Sequence, residues 1–572
     1  MVERSSGLRF GLLCNGTVFQ QWQADAIAEL NRHGHKLTLL IVDDRPVHTP
    51  PFFSRILKRR WSKFLYTFLE NRIFKPEAKK PVDMDQKLNG VKAIAVRVVQ
   101  KGYSEYFNET DLTIIREQRL DFILRFGFNI IRGEILNAAR FGVWSFHHDD
   151  EMIYRGGPAG FWEIFRGDPV SGAILQRLTE KLDGGIILYK GFLKTIMHSY
   201  KGNIQQLLTV SSLWPALVAD DYSFKLLQGF DEGLLQETNA TPTQASIFKV
   251  PGNCRMTLFL LLLIKNRLKF YYREYITPEI WNVGVLMKPL HEVAFSVQEI
   301  QEEDVQWLPP LNHTGYLADP SGFVADDGTH ILVENFSFGT LKAGISEIIW
   351  DPHPKILPPS AGGINTLHHL SYPFVFECDK NIYCVPESHQ SSKITLYRRE
   401  MPSGRFVEER VLLDGIRAVD PTMFFHQGLW WLFFTSRQYS NTHFFLYHSG
   451  DLSGEFRPHR LNPVKTDIRS ARPAGTPFLH DNLLYRPAQD CSVTYGGRIA
   501  INRVITLTPD HFAEETVRYI EPVKGSRYSS GLHTISGVGD VTLIDGKTYG
   551  MNRYFFQNQF LSKFKGKEPD HA

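Results

Sequence analysis

Four related phrases recur through the second half of this chain: ADPSGFV around Asp319, SYPFVFE around Pro373, VDPTMFF around Asp420 and ARPAGTPFL around Pro473. Their spacing is roughly 50 residues, the period of a β-propeller blade. Short β-type segments fill the intervals, among them THILVENF, NIYCVPES, ITLYRRE, LWWLFFTS, FFLYHS and NLLYRPA. Turn signals separate them: Asp327-Gly328, His426-Gln427-Gly428 and Asp545-Gly546. The pattern predicts an all-β domain over 277–572, a propeller of about five blades. Blade-start residues converge around a central channel, so Asp319, Glu387, Asp420, Arg472, Arg486, Asp490 and His533 are candidate pocket residues. Two carboxylates flanking a sugar bond would make a glycosidase site. Asp319 and Asp420, each followed by proline, can equally cap backbone amides at blade corners.

The first half follows a different rule. A chain of 572 residues is too long for one core. Leu8–Gly16 is an apolar run, Gln21–Leu30 has helical spacing, and Lys36–Asp43 is a second apolar run. A third strand at Val91–Val99, a helix at Glu109–Arg119 and a strand at Asp121–Arg125 continue the alternation to Gly191. This predicts a multidomain chain opening on an α/β, Rossmann-like, doubly wound sheet, with ligands beyond the carboxyl ends of its strands. The domains expected are 1–235, a connector with one helix at 236–276, and 277–572. The apolar run Met256–Ile264 is too short to span a membrane and reads as a buried helix. An insert at 52–80 is basic and aromatic, a surface helix that could touch a membrane surface or an anionic polymer.

A net charge of +3 gives no support to a nucleic-acid partner. Five scattered cysteines without a CxxC pair suit a reduced, cytoplasmic setting better than a disulfide framework. Cys378 and Cys384 would share one hairpin at best.

Three features cluster between Trp144 and Ile187: SFHHDD, ending a strand; YRGGPAGFWEIFRG; and SGAILQRLTEKLDGGIIL. Together they resemble the catalytic core of the formyltransferase family, which includes methionyl-tRNA, glycinamide ribonucleotide and sugar N-formyltransferases. The matching residues are Ser145-x-His147, Tyr154-Arg155-Gly156-Gly157-Pro158, Trp162, Ser171-Gly172 and Asp183-x-Gly185-x-Ile187. The resemblance implies formyl transfer from 10-formyltetrahydrofolate to an amine, with no metal. His147 would face the formyl oxygen and Asp183 would orient His147 and carry the amine proton. The pterin would pair with backbone at Phe126, Gly127, Phe128, Asn129 and Ile130, near Gly156 and Gly157. Two positions depart from the family: Ser145 replaces its Asn, and Gln176 stands where many relatives carry His. His148 reads as a positioned or solvent-facing histidine, Asp149 and Asp150 as loop solvation, and Trp162 as core.

The second half has a resemblance of its own. WNVGV (281–285), GGINTLHHLSYPFVFE (362–377), PES (386–388), ARPAG (471–475), LYRPAQDCSVTYG (484–496) and GLHT (531–534) resemble the propeller region of plant glucosamine inositolphosphorylceramide transferases. That implies a glycan-handling role, with Arg472, Arg486, Gln489 and Asp490 lining a polar pocket. Two functions therefore stand open. One is an N-formyltransferase acting on an amino sugar or glycan precursor, with a sugar-binding propeller. The other is a glycoside hydrolase or glycan-binding protein whose first domain is a scaffold. A methionyl-tRNA formyltransferase fits less well, because a propeller without basic bias is a poor substitute for a tRNA-binding barrel.

Overall fold

The computed structural model describes residues 7–45, 61–181, 184–229, 243–311, 314–350, 355–357, 362–364 and 366–564. They divide into two compact units, Met1–Arg267 and Leu268–Ala572.

The first unit is built on a seven-stranded sheet. Its strands are β1 (Arg9–Cys14), β2 (Lys36–Asp43), β3 (Lys92–Val96), β4 (Phe122–Arg125), β5 (Val143–His147), β6 (Val170–Arg177) and β7 (Ile186–Lys194). The order across the sheet is β7-β6-β5-β4-β1-β2-β3. Strand β1 is buried at every residue but Arg9, as a continuous apolar run with both faces covered should be. It pairs in parallel with β2 and β4. Helix Gln21–Arg32 buries Trp22, Ala26, Ile27 and Leu30. Asn108 starts helix Glu109–Glu117 by accepting the Asp111 N–H on its side chain.

The parallel alternation expected as far as Gly191 stops at β5. Strand β6 runs antiparallel to β5, and β7 antiparallel to β6, so the sheet is mixed. The link 178–185 is too short for a crossover and permits only a hairpin.

The segment expected as a connector belongs in part to this unit. Ile247–Phe248 pairs with Arg155–Gly156, and Met256 and Phe259 join the aromatic core around Tyr154, Phe161, Trp162 and Tyr200. Helix Asn253–Tyr275 is not the buried helix that its apolar run implies. Met256 and Phe259 are its buried residues, whereas Leu258, Leu261, Ile264 and Leu268 are exposed. Among the described residues, no helix is long and apolar enough to cross a membrane. Of the basic insert, 52–60 lie outside the described residues; helix Phe64–Arg72 follows, with Tyr66 and Leu69 buried.

The second unit is mostly β. Its described residues form five antiparallel sheets. Three of them open on the expected phrases, at Gly315–Ala325, Ser371–Cys378 and Ala418–His426. A fourth comprises Phe478–His480, Leu483–Asp490, Arg498–Leu507 and Phe512–Ile520. The fifth joins the start of the unit to its end: Glu279–Leu286 pairs along its whole length with Val541–Tyr549.

Each of the three opening strands is interrupted where its phrase carries proline. The register shifts between Ala318 and Ser321, Ser371 and Phe374, and Val419 and Thr422. The residue before each proline has a left-handed backbone: φ is 51° at Asp319, 42° at Tyr372 and 51° at Asp420. Such bulges bend a strand and re-aim a side chain, and the conformation is costly for residues other than glycine. In these three sheets the recurring phrase thus marks one bent residue each, whereas Arg472, before Pro473 in the fourth phrase, is not among the residues with positive φ.

Asp545-Gly546 is not a turn. Both residues lie inside Val541–Tyr549, and Asp545 is wholly buried with its carboxylate taken up by neighbouring backbone. All five cysteines are free thiols, Cys378 and Cys384 being on adjacent strands of one hairpin.

Candidate functional site

In the first unit, β5 ends at His147, whose Nε2 lies 3.3 Å from the Tyr154 carbonyl. Ser145 is buried, pairs across the sheet with Gln176, and accepts a hydrogen bond from Arg125 Nε at 3.1 Å. A side chain at Gly185 would collide with Gln176 Oε1 at 2.2 Å, so Gly185, Gln176 and Ser145 lie side by side. Asp183 lies outside the described residues.

The strand end expected to hold a pterin has three of its N–H groups already engaged. The Phe126 and Gly127 N–H groups both donate to the Leu13 carbonyl at 2.8 Å. The Asn129 N–H donates to Glu105 at 2.8 Å, and Ile130 pairs with Ser104. Arg125 Nη1 donates to the Phe128 and Asn129 carbonyls, while burial lowers the guanidinium pKa. The Phe126 ring stacks on Phe146 and packs edge-on to Trp22. Gly156 has φ 92°, and a Cβ there would lie 2.2 Å from the Phe248 carbonyl; this glycine serves strand pairing. The ring of Pro158 follows Gly157, whose carbonyl accepts the Trp162 indole N–H at 3.3 Å. As arranged, the Phe126, Gly127 and Asn129 N–H groups are taken up within the protein and not by a ligand.

The neighbouring residues also depart from expectation. Asp149 is not solvated loop: it is buried, accepts the Gly160 N–H at 3.0 Å, and burial pushes its carboxyl up to about 6. Beside it, burial and the Asp149 charge push Glu163 well above the usual carboxylate range. Asp150 pairs with Lys190 at 2.7 Å. His148 is a positioned histidine, bonded to Ser211 Oγ at 3.0 Å and packed on Trp22, and burial takes its pKa down to about 3.

In the second unit the bent residues bring charge together. Arg472 Nε and Nη2 both donate to Asp420, at 2.6 and 3.2 Å, and Nη2 also reaches the Tyr495 hydroxyl at 3.2 Å. Gln489 Nε2 donates to the same Asp420 oxygen at 2.8 Å. The Asp420 N–H donates to Glu387 Oε2 at 3.1 Å. Asp319 accepts the Tyr372 N–H at 3.3 Å and the Thr534 hydroxyl at 2.9 Å. The Tyr372 hydroxyl in turn accepts the Gly475 N–H at 2.7 Å. His533 lies between two carboxylates: Nδ1 is 2.6 Å from Asp545 and Nε2 is 3.2 Å from Asp319. Its ring stacks on Trp281 at 3.8 Å. Burial opposes its charge, yet Asp545 and Asp319 together raise its pKa.

These groups are buried but not sealed. The side chains of Asp319, Glu334 and Glu387 stay 6, 8 and 7% exposed, and Arg472 5%. Their proton affinities are pulled apart, as buried neighbouring carboxylates require. Burial, then Asp319, pushes Glu334 well above the usual range. Burial also raises Asp319, and takes Asp420 up to about 8 against the pull of Arg472. Glu387 goes the other way: burial would raise it, but His389 and Arg472 bring it down to about 2.

Asp319, Glu387, Asp420, Arg472, Gln489 and His533 thus belong to one connected set. Arg486 and Asp490 bond elsewhere. Arg486 pairs with Glu514 across neighbouring strands and lies over the Phe444 ring, and Asp490 pairs with Arg498. Glu334, His389, Asp545 and Tyr495 join the set without having been singled out by sequence. Asp319, His533 and Asp545 bring donor atoms within 4.8 Å of one another, a spacing that could hold a cation. However, Asp545 already accepts three backbone N–H groups, those of Asp319, His533 and Thr534.

Residues 313–535 match the family model described as glucosamine inositolphosphorylceramide transferase 1, N-terminal. Glucosamine inositolphosphorylceramide transferase 1 of Arabidopsis thaliana is 30% identical over 213 residues, 36% of this chain and 28% of that protein. Its counterpart from Oryza sativa subsp. japonica is 30% identical over 221 residues, 37% of this chain and 30% of that protein. The chain therefore spans less than a third of the length of these curated relatives. Among solved structures, glycinamide ribonucleotide transformylase 1 from Symbiobacterium toebii aligns with 38% of this chain and 89% of its own, at 16% identity and a TM-score of 0.27. The catalytic domain of a Coprinopsis cinerea GH62 α-L-arabinofuranosidase aligns with 48% and 97%, at 12% identity and a TM-score of 0.32.

Proposed function

We propose that the second unit is a five-bladed propeller that binds and acts on a glycan at the carboxylate–arginine set around Asp420. One observation carries this reading: Asp319, Glu387 and Asp420 come from three different sheets and Arg472 from the segment before a fourth, yet they join in one hydrogen-bonded group that keeps a sliver of solvent access. Sugars need donors and acceptors placed in alternation, and glycosidic bonds need one carboxyl that holds its proton beside one that has lost it. Glu334 supplies the first kind and Glu387 the second. The similarity to transferases named for glucosamine and inositolphosphorylceramide supports a glycan as ligand.

The test is calorimetric titration of the full chain with glucosamine, myo-inositol and their methyl derivatives. Binding lost in Asp420→Asn and kept in His147→Ala supports the reading. No binding across the panel sinks it.

A second reading assigns formyl transfer to an amino sugar to the first unit, because Ser145, Gln176, Gly185 and His147 stand together at one end of β5. The engaged N–H groups at 126–130 weigh against it. Consumption of 10-formyltetrahydrofolate in the presence of glucosamine, abolished by His147→Ala, would establish it. Folate binding without turnover over a broad amine panel would remove it.

A further inference from the structure

Strand Asn381–Glu387 runs into a single helical turn, His389–Ser391, which folds His389 back onto the carboxylate two residues before it. His389 Nδ1 lies 2.8 Å from Glu387 Oε1, and the histidine is 3% exposed. Its other ring nitrogen, Nε2, is buried and has no hydrogen-bond partner among the described residues. Leaving such a group unsatisfied costs roughly 1–3 kcal/mol.

The direction of the bond follows from the carboxylate. Glu387 is ionised, so both its oxygens can only accept, and Oε2 already accepts the Asp420 N–H. The hydrogen shared with His389 therefore sits on Nδ1, which leaves Nε2 as the ring nitrogen open to a ligand. The charged and titratable neighbours are committed elsewhere. His369, with its ring 6.1 Å from that of His389, accepts the Ala343 N–H on Nδ1 and turns Nε2 toward Glu334 at 4.0 Å. On the far side of Glu387, Arg472 is held by Asp420.

We infer that His389 is the proton-accepting group of this sugar site, its Nε2 taking the hydrogen of a bound sugar hydroxyl while Glu387 fixes the ring in the tautomer that allows it. The inference rests on the glycan reading above and narrows it. A hydroxyl both donates and accepts and so matches an unpartnered ring nitrogen beside a proton-holding carboxyl. A phosphate or carboxylate at the same place would set acceptor against acceptor. Carboxylate, imidazole and hydroxyl in line are also the arrangement in which a base takes a proton. No bond beyond the hydrogen bond is required for binding.

The test measures glucosamine and myo-inositol affinity of the full chain and its variants by calorimetry, with unfolding temperature as a check on folding. His389→Phe should weaken binding about tenfold or more, since the sugar hydroxyl loses its acceptor. His389→Gln, whose side-chain oxygen can accept, should recover part of it. Should His389→Phe fail to fold, His389→Gln decides: weaker binding at an unchanged unfolding temperature supports the inference, and unchanged affinity overturns it. Wild-type binding indifferent to His389 overturns this inference alone. Absence of wild-type binding overturns the glycan reading and this inference with it.

Discussion

Arg472 clasps Asp420 with two nitrogens, 52 positions earlier in the chain, and both residues are at most 4% exposed. A buried pair of this kind is expensive to break on one side, because the remaining charge stays desolvated.

Arg472→Met should therefore destabilise the second unit by about 3–5 kcal/mol. Denaturant unfolding followed by tryptophan fluorescence would report it as a lower midpoint at unchanged slope. Arg472→Lys should recover little, since a single ammonium cannot span both carboxylate oxygens and the Tyr495 hydroxyl. A loss under 1 kcal/mol would mean that the pair is not buried in solution.

Two histidines make the same unit sensitive to acid. Burial takes the pKa of His443 down to about 3 and that of His459 to about 4, and they are 1% and 2% exposed. Between those values and the ordinary imidazole value near 6.5, the unfolded chain binds protons that the folded one refuses. Stability must then fall as pH falls through that window, by up to about 1.4 kcal/mol per pH unit for each group. His443→Phe should narrow the stability difference between pH 7 and pH 5. Equal pH slopes in wild type and variant would contradict it.

Gly475 has φ 114°, and a Cβ there would lie 1.9 Å from the Ile535 carbonyl. Gly475→Ala should cost more than the ~1–3 kcal/mol of a strained backbone alone, because two chain segments must also separate. Gly428→Ala is the control: its φ is 80° but nothing lies within 4 Å, so only the backbone term applies. Comparable unfolding temperatures for the two variants would refute the close approach.

In the first unit, Arg125 bonds the carbonyls of Phe128 and Asn129 and the Ser145 hydroxyl. Arg125→Met should loosen the strand end 126–130, raising amide hydrogen exchange there while exchange in β1 stays slow. Unchanged protection at 126–130 would show that Glu105 and the Leu13 carbonyl hold this segment without it.

Much of the fold could be read before the structure, for reasons that differ by element. Proline after Asp319, Tyr372 and Asp420 recurs because the same bulge recurs, so the period was visible in residue types. The alternation of strand and helix located β1 to β5, but direction was hidden: the β6–β7 hairpin shows only in the shortness of 178–185. Asp545 misled because Asp-Gly usually marks a turn, whereas here a buried carboxylate satisfies three backbone amides in mid-strand. Glu334 occupies an ordinary place in an alternating strand, and His389 follows a carboxylate by two positions. Neither spacing announces a partnership that only the bend of the turn creates. Around Ser145, family likeness pointed to the ends of β4 and β5 but could not register that Ser145 accepts from Arg125 and that Leu13 accepts the Phe126 and Gly127 N–H groups.

The pairing of Glu279–Leu286 with Val541–Tyr549 has a bearing on how the protein is made. Glu279 and Tyr549 share a hydrogen bond across 270 positions. At roughly 5–20 residues per second, a nascent chain would expose the first strand for on the order of tens of seconds before its mate leaves the ribosome. Throughout that interval Trp281, Val283 and Val285 would stand bare on an unpaired edge, a natural target for a chaperone and a hazard without one.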